Sequence, residues 1–265
     1  MEGVMQKEVL IIIPAYNEEH NIEQVLKNLE SPDIAEFADI LVMNDASLDN
    51  TNWIAKAHKH AVVTHVFNLG YGSALQLGYK YAIRYHYKYV IQMDADGQHD
   101  VCNVKNIYKT LKTKYDGEYP DIVLGSRYLE DSSPFEVSFL KELAYKMFRS
   151  IIKLITKRTI KDPTSGLQGL SWRAVLDYSK YGNFDDRYPD ANMLTSMILK
   201  GYNVVEIPAV MHTRSYGMSM HSGLIKPIGY MFHMMLSIVG VVLRQKKHQT
   251  PQKISSEKNQ KGQVK

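Results

Sequence analysis

Short apolar runs recur through the first half of the chain, each followed by a polar turn and then by a stretch with helical spacing of its apolar positions. The runs are Val9–Ile13, Ile40–Met43, Val62–Phe67, Tyr89–Met93 and Ile122–Leu124; the helical stretches fall near Asn21–Leu29, Asn50–His60, Ser73–Tyr85 and Val101–Lys114. This alternation predicts a mainly parallel sheet covered on both faces by helices. The second half is less regular. It predicts a helix over Leu140–Thr156, a loop at Asp162–Gly166, helices after Trp172 and after Asp190, and a strand at Asn203–Ile207.

Ligands of such sheets sit beyond the carboxyl ends of the strands, so residues that carry chemistry should come directly after each apolar run. They do: Val9–Ile13 is followed by Pro14-Ala15-Tyr16-Asn17-Glu18, Ile40–Met43 by Asn44-Asp45-Ala46-Ser47, Val62–Phe67 by Asn68, and Tyr89–Met93 by Asp94-Ala95-Asp96. Paired carboxylates on an open loop suit Mg²⁺ or Mn²⁺, whose other positions phosphate oxygens and water can fill, and Gln98 offers one more oxygen. The plainer reading of Asp-x-Asp is a solvated loop or helix cap. A calcium loop of the EF-hand type fails, because Gly97 is misplaced and Lys105 stands where the bidentate Glu belongs. Asp45 is placed to accept hydrogen bonds from a base or ribose, Ser47 and Asp49 also suit a helix N-cap, and Tyr16 offers a flat face for stacking.

Dinucleotide, phosphate-loop and hydrolase motifs find no support. In Gly70-Tyr71-Gly72 the third glycine of a dinucleotide fingerprint is replaced by Leu75, and neither a Walker A sequence nor a Gly-x-Ser-x-Gly elbow is present.

Composition narrows the class. The 265 residues, 45% hydrophobic and 23% charged, fit one globular catalytic domain with short additions. A net charge of +4 with dispersed tyrosines argues against a nucleic-acid partner. The lone Cys102 excludes an intramolecular disulfide and a cysteine zinc site, and the segment Met1–Glu8 lacks the pattern of a signal peptide, so a cytoplasmic location is expected. The long apolar stretch Leu224–Leu243 is interrupted by Lys226, Pro227, Gly229 and His233 and followed by Arg244, Lys246 and Lys247. It predicts a helix starting near Pro227 that packs on the domain or lies in the headgroup layer rather than spanning the membrane. Residues 245–265 are polar and basic, the composition of a disordered tail.

Seven segments then combine in order: Pro14 to Glu18, Asn44 to Asp49, Asn68 to Ala74, Asp94 to His99, Gly125 to Tyr128, Asp162 to Gly166, and Arg214 to Ser219. Through them the chain resembles family 2 glycosyltransferases, and within these the branch of dolichyl-phosphate mannose synthases and bacterial polyprenyl-phosphate glycosyltransferases. The resemblance implies a GT-A fold, an α/β Rossmann-like architecture, over residues 1–223, followed by an apolar helix at 224–244 and the tail. It implies a metal-dependent, inverting transferase that takes a sugar from a UDP- or GDP-linked donor in cell-envelope glycan synthesis. It further implies a polyprenyl phosphate or a lipid-linked glycan as acceptor and a peripheral position at the inner face of the cell membrane.

Carried over residue by residue, the resemblance assigns Pro14, Ala15, Tyr16, Glu18, Asp45, Asn68 and Ala95 to the nucleotide-sugar, and Asp94, Asp96 and Gln98 to Mg²⁺ or Mn²⁺. Arg127 and Arg214 look like the arginines that neutralise phosphates. Two departures are Met220, where a lysine is usual, and Leu167-Gln168, where Phe-Arg is usual. A lipid phosphate is already an anionic nucleophile, whereas a hydroxyl acceptor needs a base, for which Asp162 and Asp190 are the candidates. Two alternatives stay open: a hydroxyl-directed transferase extending a surface polysaccharide, and a non-catalytic sugar-nucleotide-binding protein.

Overall fold

The computed structural model describes residues 7–132, 139–213, 216 and 229–245. Its strands are β1 (Val9–Ala15), β2 (Ala38–Asn44), β3 (Ala61–Thr64), β4 (Tyr89–Gln92), β5 (Ile122–Ser126), β6 (Gln168–Ser171) and β7 (Val204–Pro208). They form one sheet in the order β3-β2-β1-β4-β6-β5-β7. β1 pairs in parallel with β2 and β4, β2 with β3, and β5 with β7, whereas β6 runs antiparallel to both β4 and β5. Six strands therefore deliver their carboxyl ends to one edge, and β6 begins there.

β1 is buried along its whole length because each face of the sheet is covered. Val9, Ile11 and Ile13 enter one core with α1 (Ile22–Leu29), α2 (Pro32–Ala35), α3 (Thr51–Ala57) and α5 (Cys102–Leu111). Leu10 and Ile12 enter the other with α4 (Tyr71–Arg84), α6 (Phe139–Thr156), α7 (Trp172–Tyr178) and α8 (Ala191–Leu199). Burying these five side chains contributes on the order of 10 kcal/mol before the entropy of ordering is subtracted. Pro14 sits in β1 without breaking the ladder, since pairing with β4 ends at Ile12.

The mainly parallel α/β sheet matches the expectation, with three differences. β3 stops at Thr64 instead of running to Phe67, because its neighbour β2 ends opposite Thr64; Val66 and Phe67 are then 84% and 71% exposed. The short α2 is an addition to the expected elements. So is β6, which has one large apolar residue in four; its Gly169 is needed because a Cβ there would lie 2.1 Å from Ile107 Cγ2.

Residues 229–245 form a further helix, α9. Its Tyr230, Met234 and Ile238 belong to the second of the two cores, the one that contains α6 and α8. Residues 224–228 and 246–265 lie outside the described residues. Among the described residues no helix is long and apolar enough to cross a membrane.

Candidate active site

The loops after β1 and β2 are stitched together. Asn17 N–H donates to Ser47 Oγ (3.0 Å), Leu48 N–H to Asn17 Oδ1 (2.8 Å), and Glu18 N–H to Thr51 Oγ1 (2.8 Å). Asn17 and Ala46 carry positive φ values of 55° and 58°, tolerable for asparagine but costing about 1 kcal/mol at alanine. Pro14 and Ala15 are buried in β1, which leaves Tyr16, 44% exposed, as the first side chain presented at the edge. Glu18 accepts from Asn21 Nδ2 at 2.7 Å.

Asp45 is buried and organises the next loop. Its carboxylate accepts from Leu69 N–H (2.9 Å) and Gly70 N–H (2.8 Å) and pairs with His65 Nδ1 at 2.6 Å. Asn68 is exposed and donates to the Asp45 carbonyl at 3.3 Å. A carboxylate has about four lone-pair positions, so one remains beyond these three.

Asp94 and Asp96 come directly after β4, with Ala95 between them buried in the β1–α1–α5 core. Asp96 Oδ1 accepts from Gln98 N–H (3.0 Å), closing a tight turn, and the Gln98 carbonyl accepts from His212 N–H (2.7 Å). Asp94 Oδ1 accepts from the Tyr71 hydroxyl at 3.0 Å, and His99 Nε2 lies 3.7 Å from Oδ2. Burial opposes ionisation of Asp94, but His99, Tyr71 and Arg127 outweigh it and hold the carboxyl below its ordinary value. The loop leading into β6 closes the other side: Gln92 Nε2 donates to the Gly166 carbonyl (3.1 Å), and a Cβ on Gly166 would lie 2.9 Å from Asp94 Oδ2. Glycine at 166 thus keeps the space before this carboxylate open.

No group of three or more His, Cys, Asp or Glu side chains converges for a metal among the described residues. The pair Asp94 and Asp96 still fits a hard divalent ion that takes its remaining oxygens from a diphosphate and water. His99 Nδ1 is buried without a hydrogen-bonding partner among the described residues, a further sign that this region is built for something besides packing.

Arg127 and Asp162 form a bidentate pair, Nε to Oδ2 and Nη2 to Oδ1, both 2.7 Å, and Arg127 N–H also donates to Oδ2 at 2.9 Å. Asp162 is completely buried. Its own N–H donates to Glu206 Oε1 (2.7 Å), so β7 fixes the aspartate that fixes the arginine. Burial opposes the charge on Arg127, yet Asp162 raises its pKa further above the ordinary value.

Asp190 stands at the N-cap of α8 and accepts from the Tyr230 hydroxyl at 2.7 Å. Burial, with Asp94 and Asp185 nearby, pushes its carboxyl up to about 6 against the help of Tyr230 and Arg127. A raised carboxylate pKa destabilises the fold once the group ionises. Metal-free protein is therefore expected to lose up to about 3 kcal/mol of this group's contribution as pH rises from about 4 to about 6. Asp190→Asn should flatten that part of the curve; urea unfolding at pH 4.5 and pH 7 measures the difference.

Asp94, Arg127 and Asp190, expected from sequence, are thus brought within electrostatic reach of one another, together with Tyr71, Tyr145 and Tyr230, which sequence reasoning did not single out. Only the Gly-Tyr-Gly spacing could have pointed to Tyr71. Arg214 lies outside the described residues.

Comparison with known proteins identifies the fold and the family. The chain is 27% identical over 226 residues to a dolichol-phosphate mannosyltransferase of Pyrococcus furiosus, covering 81% of this chain and 59% of that one. It is 25% identical over 222 residues to a polyprenol monophosphomannose synthase of Mycolicibacterium smegmatis, covering 81% of each. Glucosyl-3-phosphoglycerate synthase from Mycobacterium tuberculosis, solved with Mn²⁺, uridine diphosphate and phosphoglyceric acid, superposes with a TM-score of 0.64 at 17% identity, over 90% of this chain and 78% of that one. The fold is that of the GT-A glycosyltransferases. The family model for glycosyl transferase family 2 matches residues 10–177, from β1 into α7, and the chain belongs to that family.

Proposed function

We propose that this glycosyltransferase moves a sugar, with inversion, from a nucleoside diphosphate to a polyprenyl phosphate or a glycan carried on such a lipid, at the inner face of the cell membrane. The observation that carries the reading is that Asp94 after β4, Arg127 after β5 and Asp190 at the N-cap of α8 stand within electrostatic reach of one another at the edge where the parallel strands end. Relatives that act on dolichol and polyprenol phosphates support the acceptor class. In this reading Tyr16 stacks on the base, Asp45 and Glu18 receive the nucleoside, and Pro14, Ala15, Asn68 and Ala95 shape the groove. Asp94 and Asp96, with Gln98 beside them, would hold Mg²⁺ or Mn²⁺, which supplies positive charge to the leaving diphosphate. Arg127, held rigid by Asp162, adds a fixed cation to the same region.

α9 is assigned to the headgroup layer. Because Tyr230, Met234 and Ile238 are core residues, deleting everything after Leu224 would also damage the fold, so membrane association is best tested by substitutions on the outer face.

A hydroxyl-directed transferase is the second reading, favoured by the raised pKa of Asp190, which suits a general base. Asp162 is the poorer candidate, both of its oxygens being engaged by Arg127. The deciding assay offers purified protein Mg²⁺ or Mn²⁺, UDP- and GDP-sugars and undecaprenyl phosphate. Sugar on the lipid phosphate is expected, with little dependence on Asp190 as a base. Donor hydrolysis without lipid product, and a rate that climbs through about pH 6 and falls at least 100-fold in Asp190→Asn, would overturn it in favour of a hydroxyl acceptor.

A further inference from the structure

α9 has two apolar faces. The inner one buries Tyr230, Met234 and Ile238; on the outer one Phe232, Met235, Leu236, Val239 and Leu243 recur at three- and four-residue spacing. Four of these are more than half exposed: Phe232 65%, Leu236 58%, Val239 53% and Leu243 62%. The stripe contains no charged residue, and Arg244, Lys246 and Lys247 come after it in the chain. An apolar face followed in sequence by basic residues complements the surface of a bilayer that contains anionic phospholipid.

The inner face of the same helix touches the site. The Tyr230 hydroxyl donates to Asp190 Oδ2, and its ring meets Tyr188 edge-on with centroids 5.3 Å apart. Two turns further, Ser237 Oγ accepts from Asn192 Nδ2 at 2.7 Å and donates to Asp185 Oδ2 at 3.4 Å. α9 therefore holds the segment 185–192 at four residues, Asp185, Tyr188, Asp190 and Asn192. That segment reaches the Asp94 side as well: the Asp186 carbonyl accepts from Ser73 N–H (3.1 Å), and a Cβ on Gly72 would lie 2.0 Å from the Asp185 carbonyl oxygen, beside Tyr71. Beneath the second half of α9 lies a cavity of about 450 Å³, lined by Ser196, Lys200, Ser237, Val241 and Arg244 among others, which gives the helix room to shift.

We propose that α9 is a membrane-responsive element: seating its outer stripe on a bilayer restrains the helix and fixes Tyr230 against Asp190, so that the acceptor side of the site is set at the lipid surface. The proposal rests on the lipid-linked acceptor read above. Tyr230 is a positioning residue, acting through Asp190, and docking works by favouring the arrangement in which their bond is made.

The test uses the full chain and vesicles of phosphatidylglycerol and phosphatidylcholine. Vesicles are expected to slow amide hydrogen exchange at residues 188–195 by about five-fold or more. Tyr230→Phe should cosediment with vesicles like the parent, lose that protection, and show a kcat for the lipid acceptor reduced about five-fold or more with KM unchanged. Leu236→Ser with Val239→Ser should abolish cosedimentation and protection together while leaving turnover of a short-chain soluble acceptor unaltered. Parent protein that fails to bind vesicles, that binds without slowed exchange at 188–195, or a Tyr230→Phe protein that keeps the protection would overturn the proposal. Because exchange is read without sugar transfer, slowed exchange alongside no transfer to any lipid phosphate would sink the acceptor reading alone.

Discussion

Asp96→Ala is expected to lower sugar transfer at least about 1,000-fold while leaving the fold intact, because it removes half of the carboxylate pair proposed to hold the divalent ion. The structural cost is small. Asp96 is half-buried, and its bond to Gln98 N–H belongs to its own turn, so about 1 kcal/mol and a melting point lowered by no more than about 4 °C are expected. Asp94→Asn should lose as much activity, since an amide keeps the shape of the group and discards its charge. Turnover with and without Mn²⁺, measured beside a thermal melt, checks both variants; normal metal-dependent rates in either would remove the aspartates from the mechanism.

Arg127→Leu should be the most damaging single change to stability. It leaves Asp162 completely buried, with two of its charged hydrogen bonds gone, and breaking a buried pair from one side costs about 3–5 kcal/mol. Arg127→Lys keeps a charge but cannot supply the forked pair of donors, so an intermediate loss is expected. Replacing both partners, Arg127→Leu with Asp162→Leu, should recover at least half of the deficit, because no charge is then stranded in the interior. Urea unfolding of the three variants measures this; additive losses in the double variant would mean that the pair is no unit.

The donor half of the molecule is legible in the sequence because it is built from local units. In β1, β2 and β4 a nearly continuous apolar run is both the signal for a buried strand and the marker of the polar turn at its carboxyl end, so residue order alone places Tyr16, Asp45, Asp94 and Asp96 at one edge. β6 is invisible for the opposite reason: Gln168-Gly169-Leu170-Ser171 is a strand only because Gln92 and Leu124 wait on either side of it. The pairing of Arg127 with Asp162 across 35 positions leaves no periodic trace either, and so Asp162 looks as available for proton transfer as Asp190. Tyr230 is hidden by its company, since in an apolar stretch nothing marks which aromatic carries a hydroxyl to a distant aspartate.

The reversed strand β6 also bears on how the protein is made. β1, β2 and β3 pair with their neighbours in the chain, but β4 returns to β1 and β7 to β5 across about eighty residues each, and Gln92 meets Gln168, so the sheet from β4 onward closes through contacts of high sequence separation, which form slowly. On the ribosome, the nucleotide side can assemble once β4 has emerged, whereas the surroundings of Asp94 wait for Gly166 and β6. The nascent chain therefore holds the parts of the proposed donor site well before it has a closed place around Asp94, and the proposed catalytic edge is among the last regions of the molecule to mature.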